Sequence, residues 1–140
     1  MSLIFPFVYA EVESLGQLFY PFVRVSIKTI YDWQDFDFLV DTGADVTTLP
    51  KTILPVIGIN EKSLKRQETQ GVGGIWVETF EITLPVRIDS DEFLIHASVT
   101  NTEKEGLPFL LGRKDILEKR FSLMIDSKRK VTILKKNTLI

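Results

Sequence analysis

The sequence predicts a mainly β fold, largely antiparallel, with one short helix near its C-terminal end. Most apolar segments alternate with period two, as half-buried strands do. Pro and Gly punctuate these segments at short intervals. Strands never alternate regularly with long helical stretches, as a parallel sheet with crossover helices would require.

In chain order, the first candidates are "FPFVYAEV" at 5–12 and "YPFVRVSI" at 20–27. Each has Pro at its entry, where a missing N–H is tolerated. Their likeness is too short for a repeat, so they read as two strands around "ESLGQ". "IYDWQDFDFLV" is a turn feeding a strand that ends at Asp41. Asp32, Asp35 and Asp37 raise the idea of a cation loop, but the Gly and distal Glu of a calcium loop are missing, and a solvated hairpin fits better. "PKTILPVIGIN" holds a short helical turn broken by Pro55 and Gly58, and "NEKSLKRQETQ" is a polar loop or a mobile strand.

"GVGG" at 71–74 precedes the long alternating run "IWVETFEITLPVRI". "FLIHASVT" follows as another strand, on which His96 shares a face with Leu94, Ser98 and Thr100. "NTEKEGLP" is a loop, and "FLLG" a short apolar run ending at Gly112. "RKDILEKRF" is the helix candidate: Ile116, Leu117 and Phe121 form a stripe, with Asp115 near the start and Lys119 and Arg120 near the end, as the helix dipole favours. "SLMIDSKRKVTIL" closes the chain as a hairpin around "DSKRK".

Composition narrows the chemistry. A chain of 140 residues that is 44% hydrophobic fits one domain with a sizeable core. The absence of Cys excludes disulfides, thiolate zinc sites and Cys nucleophiles. A single His makes His-rich metal clusters a poor fit, and no metal or other cofactor is expected. The net charge is −2, yet residues 113–136 carry nine Lys/Arg against three Asp/Glu. Such a face could meet nucleic acid, but its charges are spaced by apolar positions and read better as a solvated helix and hairpin. No nucleic-acid partner is expected. The start lacks a basic n-region and carries Glu11 and Glu13, and no stretch reaches membrane-spanning length. A cytoplasmic protein without membrane association is the expectation.

Three fragments carry chemistry. Asp41-Thr42-Gly43 ends an apolar strand, so a rigid element supports the carboxylate while Gly43 lets backbone approach without a Cβ. Alone, the tripeptide is an ordinary turn; the apolar run before it and "ADVTTL" after it sharpen it. "GVGG" suits a mobile hairpin tip. A phosphate loop would need a following Lys-Ser/Thr and a long helix, and neither follows. "FLLGR" is an apolar strand ending in Gly112 and Arg113.

In type, order and spacing, "LVDTGADVTTL", "GVGG" and "LLGRKDIL" resemble the retropepsin-like aspartic proteases, the one-Asp-per-chain relatives of pepsin. The resemblance implies a closed, orthogonal β-barrel of the acid-protease type. It implies a single domain over 1–140, with a core at about 21–121, an N-terminal strand extension at 1–20 and a C-terminal hairpin at 122–140. By position, Asp41 would be the catalytic aspartate, Thr42 would join hydrogen bonds tying two active-site loops across a dimer, and Gly43 would offer its carbonyl to substrate. Ala44, Asp45 and Val46 would line the cleft, with Asp45 paired to Arg113 as structural support. Gly71, Val72, Gly73 and Gly74 would form a flap over the peptide, and Leu110 would line a side-chain pocket.

The physical logic accounts for one aspartate per chain. Without metal, His or Cys, a carboxylate pair is the available acid–base device: one ionised Asp takes a proton from water while a protonated partner hydrogen-bonds the scissile carbonyl. No second Asp-Thr-Gly or Asp-Ser-Gly occurs in the 140 residues, so if Asp41 is catalytic, as the resemblance implies, its partner must be Asp41 of a second copy of the chain. The expectation is a homodimeric aspartic endopeptidase acting on an extended peptide or protein substrate. The alternative keeps the fold without the catalysis, as a dimeric peptide-binding or assembly module.

Overall fold

The computed structural model describes residues 1–138, with the side chain of Val72 outside the described set. Its strands run β1 (Ser2–Pro6), β2 (Val8–Val12), β3 (Gly16–Tyr20), β4 (Phe22–Thr29), β5 (Asp32–Val40) and β6 (Thr47–Pro50). A short helix α1 (Ile53–Val56) follows, then β7 (Arg66–Gln70), β8 (Trp76–Ile88), β9 (Asp91–Thr100), β10 (Phe109–Leu111), β11 (Phe121–Asp126) and β12 (Val131–Lys136).

The alternation read from the sequence is the alternation observed. Val23, Val25 and Ile27 of β4 face inward, as do Phe80, Ile82, Leu84, Val86 and Ile88 of β8, and Phe93, Ile95, Ala97 and Val99 of β9. Full burial of each large apolar side chain contributes roughly 1.5–3 kcal/mol before the entropy of ordering is subtracted. Seven strands run in the order β4-β5-β10-β6-β9-β8-β7, and an added β4–β8 pairing closes six of them into a ring around this core. Pro85 is accommodated within β8 because β7 pairs only as far as Phe80 and β4 begins at Val86, so no second neighbour needs its missing N–H.

Three features depart from the sequence reading. First, 5–12 is not one strand. The chain changes partners at Phe7: β1 pairs with β12, whereas β2 forms a hairpin with β3. Phe7 donates its N–H to the Lys130 carbonyl at 3.0 Å and stacks on Phe19 at 4.1 Å between ring centroids. Secondly, the sheet is mixed: β10 runs parallel to β5 and antiparallel to β6, and β6 runs parallel to β9. Thirdly, the C-terminal helix spans only Arg113–Leu117 and is kinked, with extended Lys114 and a positive φ of 68° at Asp115. Tertiary hydrogen bonds account for this: Lys114 N–H donates to the Asp45 carbonyl at 2.9 Å, and the Asp115 carboxylate accepts the His96 N–H at 2.8 Å. The first satisfies a first-turn N–H outside the helix, and the second ties the Asp115 side chain to β9.

Candidate active site

Strand β5 is wedged between β4 and β10, which pair with it on opposite sides at Phe38 and Leu39. Phe38 is fully buried and meets Phe109 edge-to-face, at 5.2 Å between centroids and 89° between planes. The wedge carries its ladder one residue past the strand. Val40 N–H donates to the Pro21 carbonyl at 3.0 Å, and Asp41 N–H donates to the Leu111 carbonyl at 3.0 Å. The backbone under the Asp41 carboxylate is therefore fixed by neighbouring chain on both sides.

The turn beyond it closes on that carboxylate. Gly43 N–H donates to Asp41 Oδ1 at 3.0 Å, and Ala44 N–H donates to the Asp41 carbonyl at 3.2 Å. A Cβ at Gly43 would lie 3.3 Å from Asp41 Oδ1, so glycine gives the carboxylate its room.

A second layer grips the turn from below. Arg113 Nη1 donates to the Thr42 carbonyl at 2.6 Å, its Nη2 pairs with the Asp45 carboxylate, and its N–H donates to the Ala44 carbonyl at 3.1 Å. This is possible because Gly112 lets two chain segments pass in contact. A Cβ there would overlap the Val46 carbonyl group and lie 2.7 Å from Thr47 N. The buried Thr47 hydroxyl accepts the Gly112 N–H at 3.1 Å.

Asp41, Gly43, Ala44, Asp45, Val46 and Gly71 all line one cleft of about 530 Å³. The glycine segment is the tip of the β7–β8 hairpin. Gly71 N–H donates to the Ile75 carbonyl at 2.7 Å, and Gly73 and Gly74 take φ of 82° and 78°, a left-handed pair that side-chain-bearing residues resist. Gly73 and Gly74 are exposed and lie outside the cleft lining, and the side chain of Val72 lies outside the described residues. Thr42 directs its carbonyl to Arg113 and does not line the cleft. Leu110 is half-buried in β10, paired with Leu39 and Thr48, and it too is absent from the lining.

Sequence reasoning missed the part of the lining on β7, β8 and β9, where Thr69, Thr79, Glu81 and Ser98 line the same cleft. The signal was present as parity. Thr79 and Glu81 alternate with apolar Phe80 and Ile82, and Ser98 alternates with Ala97 and Val99. What could not be read was that β8 and β9 pair Glu81 with Ser98. Among the described residues, no cluster of three or more His, Asp or Glu side chains is placed to hold a metal ion.

A closed β-barrel with a strand-borne Asp-Thr-Gly turn, held from beneath by a Gly-Arg segment, defines the aspartic-protease class of architecture. The comparisons agree. The family model for the retroviral aspartyl protease matches residues 20–137. Among solved structures, the chain is similar to a retropepsin-like aspartic protease from Rickettsia conorii, with TM-score 0.61, 25% identity, and coverage of 96% of this chain and 92% of that one. It is also similar in fold to the EIAV protease complexed with the inhibitor HBY-793, with TM-score 0.53, 24% identity, and coverage of 79% and 92%. No curated protein sequence matches. The chain belongs to the retroviral aspartyl protease family.

Proposed function

We propose that this chain is an aspartic endopeptidase that works as a homodimer, with one Asp41 carboxylate from each copy. The observation that carries the reading is the placement of Asp41 at the cleft, its backbone held by Leu111 and its Oδ1 by the Gly43 N–H. A general base must hold its geometry while the substrate reacts, and this carboxylate rests on strand backbone and not on a free loop.

In the reaction, one ionised Asp41 takes a proton from water as the oxygen attacks the scissile carbonyl carbon. The protonated Asp41 of the second copy hydrogen-bonds the carbonyl oxygen and gives it that proton. Collapse of the tetrahedral species then passes a proton to the leaving amine. The two carboxylates share one proton because neighbouring like charges resist joint ionisation. Gly71 to Gly74 form the flap over an extended peptide, and the backbone groups around Gly43 hold it. Thr42 supports the turn.

Replacement of Asp41 by Asn tests this reading. Peptide cleavage should fall by about 10²–10⁴-fold or more while the circular-dichroism spectrum and dimer mass persist. Undiminished cleavage by that variant defeats the proposal. Peptide binding without cleavage by the unaltered protein would instead favour a binding module of the same fold.

A further inference from the structure

Part of the lining of the cleft that Asp41 also lines is a directed hydrogen-bond network built on a carboxylate. Glu81 on β8 lies opposite Ser98 on β9, whose hydroxyl is 2.7 Å and 2.8 Å from the two carboxylate oxygens. The Thr79 hydroxyl donates to Glu81 Oε2 at 3.0 Å, and His96 Nε2 lies 2.7 Å from Oε1. Thr69 Oγ1 is 3.1 Å from Thr79 Oγ1, extending the chain onto β7.

The polarity of this network follows from one fact: an ionised carboxylate only accepts. Ser98 and Thr79 each have a single O–H, and both protons point at Glu81. Thr79 has then spent its proton, so Thr69 must donate to it. The hydroxyls of Ser98, Thr79 and Thr69 thus direct their protons within the network and leave lone pairs, not protons, for the cleft. The charge balance points the same way. Among the described residues, Asp41, Asp45 and Glu81 line the cleft and no Lys or Arg does. Asp45 is paired with Arg113 and Asp41 is assigned to chemistry, which leaves Glu81, with His96 Nε2 2.7 Å from its Oε1, as the carboxylate available to a substrate side chain.

We infer that Glu81, with Ser98, Thr79 and Thr69, forms a specificity subsite that selects a hydrogen-bond-donating, cationic side chain, Lys or Arg, in the peptide. The inference rests on the endopeptidase reading and assigns its substrate class. An apolar side chain there would strip solvent from Glu81 and leave its remaining lone pair unmet. A lysine ammonium or arginine guanidinium would fill it with a charge-assisted bond.

The test is a peptide set in which each position around the scissile bond carries Lys, Gln or norleucine in turn. For the unaltered protein, one position should favour Lys over norleucine by about tenfold or more in kcat/KM. Glu81→Gln puts an amide donor on the wall and should shrink that ratio at least several-fold, and Ser98→Ala, which keeps the carboxylate, should shrink it less. Binding of the same peptides to the Asp41→Asn protein, read by fluorescence anisotropy, separates the two readings. Preference for Lys in binding with no cleavage by the unaltered protein keeps the subsite and defeats the endopeptidase. Cleavage with norleucine preferred at every position, or a Lys preference that survives both variants, overturns the subsite alone.

Discussion

The guanidinium of Arg113 holds the carbonyl of Thr42 at 2.6 Å, so the turn that carries Asp41 is fixed by a residue seventy-one positions away. The same side chain also pairs with Asp45, and the two interactions differ in worth. The Asp45 side chain is 89% exposed, so solvent screens its ion pair to about 0–1 kcal/mol. The charged bond to a backbone carbonyl contributes about 1.5–3 kcal/mol.

Replacing Arg113 by Lys should therefore cost more than replacing Asp45 by Asn. Lysine cannot reproduce the fork, and the Thr42 carbonyl would lose its donor. Urea unfolding should show Arg113→Lys destabilised by about 1–3 kcal/mol and Asp45→Asn by less than about 1 kcal/mol. Equal losses would mean that the ion pair, not the turn contact, is what matters.

Gly112→Ala should be the most damaging single methyl addition near the site. Its φ of −90° suits any residue, so the penalty is purely steric, from overlap with the Val46 carbonyl. Separating β10 from β6 would also lengthen the bond from Gly112 N–H to Thr47. A loss of about 3 kcal/mol or more is expected in denaturant unfolding, or failure to accumulate folded protein. A near-normal midpoint would show that the two segments can part freely.

The proposed two-copy site has a quantitative signature. In equilibrated mixtures with the Asp41→Asn chain, activity should follow the square of the unaltered fraction. An equimolar mixture would then retain roughly a quarter of the activity of an all-unaltered sample at the same total concentration. A linear decline, to half, would mean that each chain works alone.

At the β11–β12 turn, the backbone N–H of Arg129, then its guanidinium, hold the Asp126 carboxyl below its ordinary value of 3.8. A lowered folded value means stability that is fully present above about pH 4 and is lost as pH falls through the folded value. The stability difference between the unaltered protein and Asp126→Asn should accordingly be present at neutral pH and shrink on acidification below 3.8. Thermal melts across pH 2–7 measure it, and a gap independent of pH would assign the contribution to the turn's geometry instead.

Much of the fold was legible because burial imposes parity. The buried faces of β4, β8 and β9 could be read directly from "FVRVSI", "FEITLPVRI" and "FLIHASV". The Asp41-Thr42-Gly43 and Gly112-Arg113 fragments were legible as motifs, although what restricts Gly112 is the close passage of Val46 and Thr47, a tertiary contact. The helix over 113–121 misled: its apolar stripe is real, but Asp45 and His96 supply partners that draw its first turn out of helical geometry.

By itself, the sequence determined which strand faces are apolar and that Asp-Thr-Gly occurs only once in the chain. These are local matters of residue type and period. Only the tertiary structure decided that β10 enters parallel to β5, that Arg113 reaches Thr42, and that Glu81 meets Ser98 and His96 in the cleft wall. Such contacts depend on strand order and register, which are set when the whole barrel closes on its core and which no local pattern encodes.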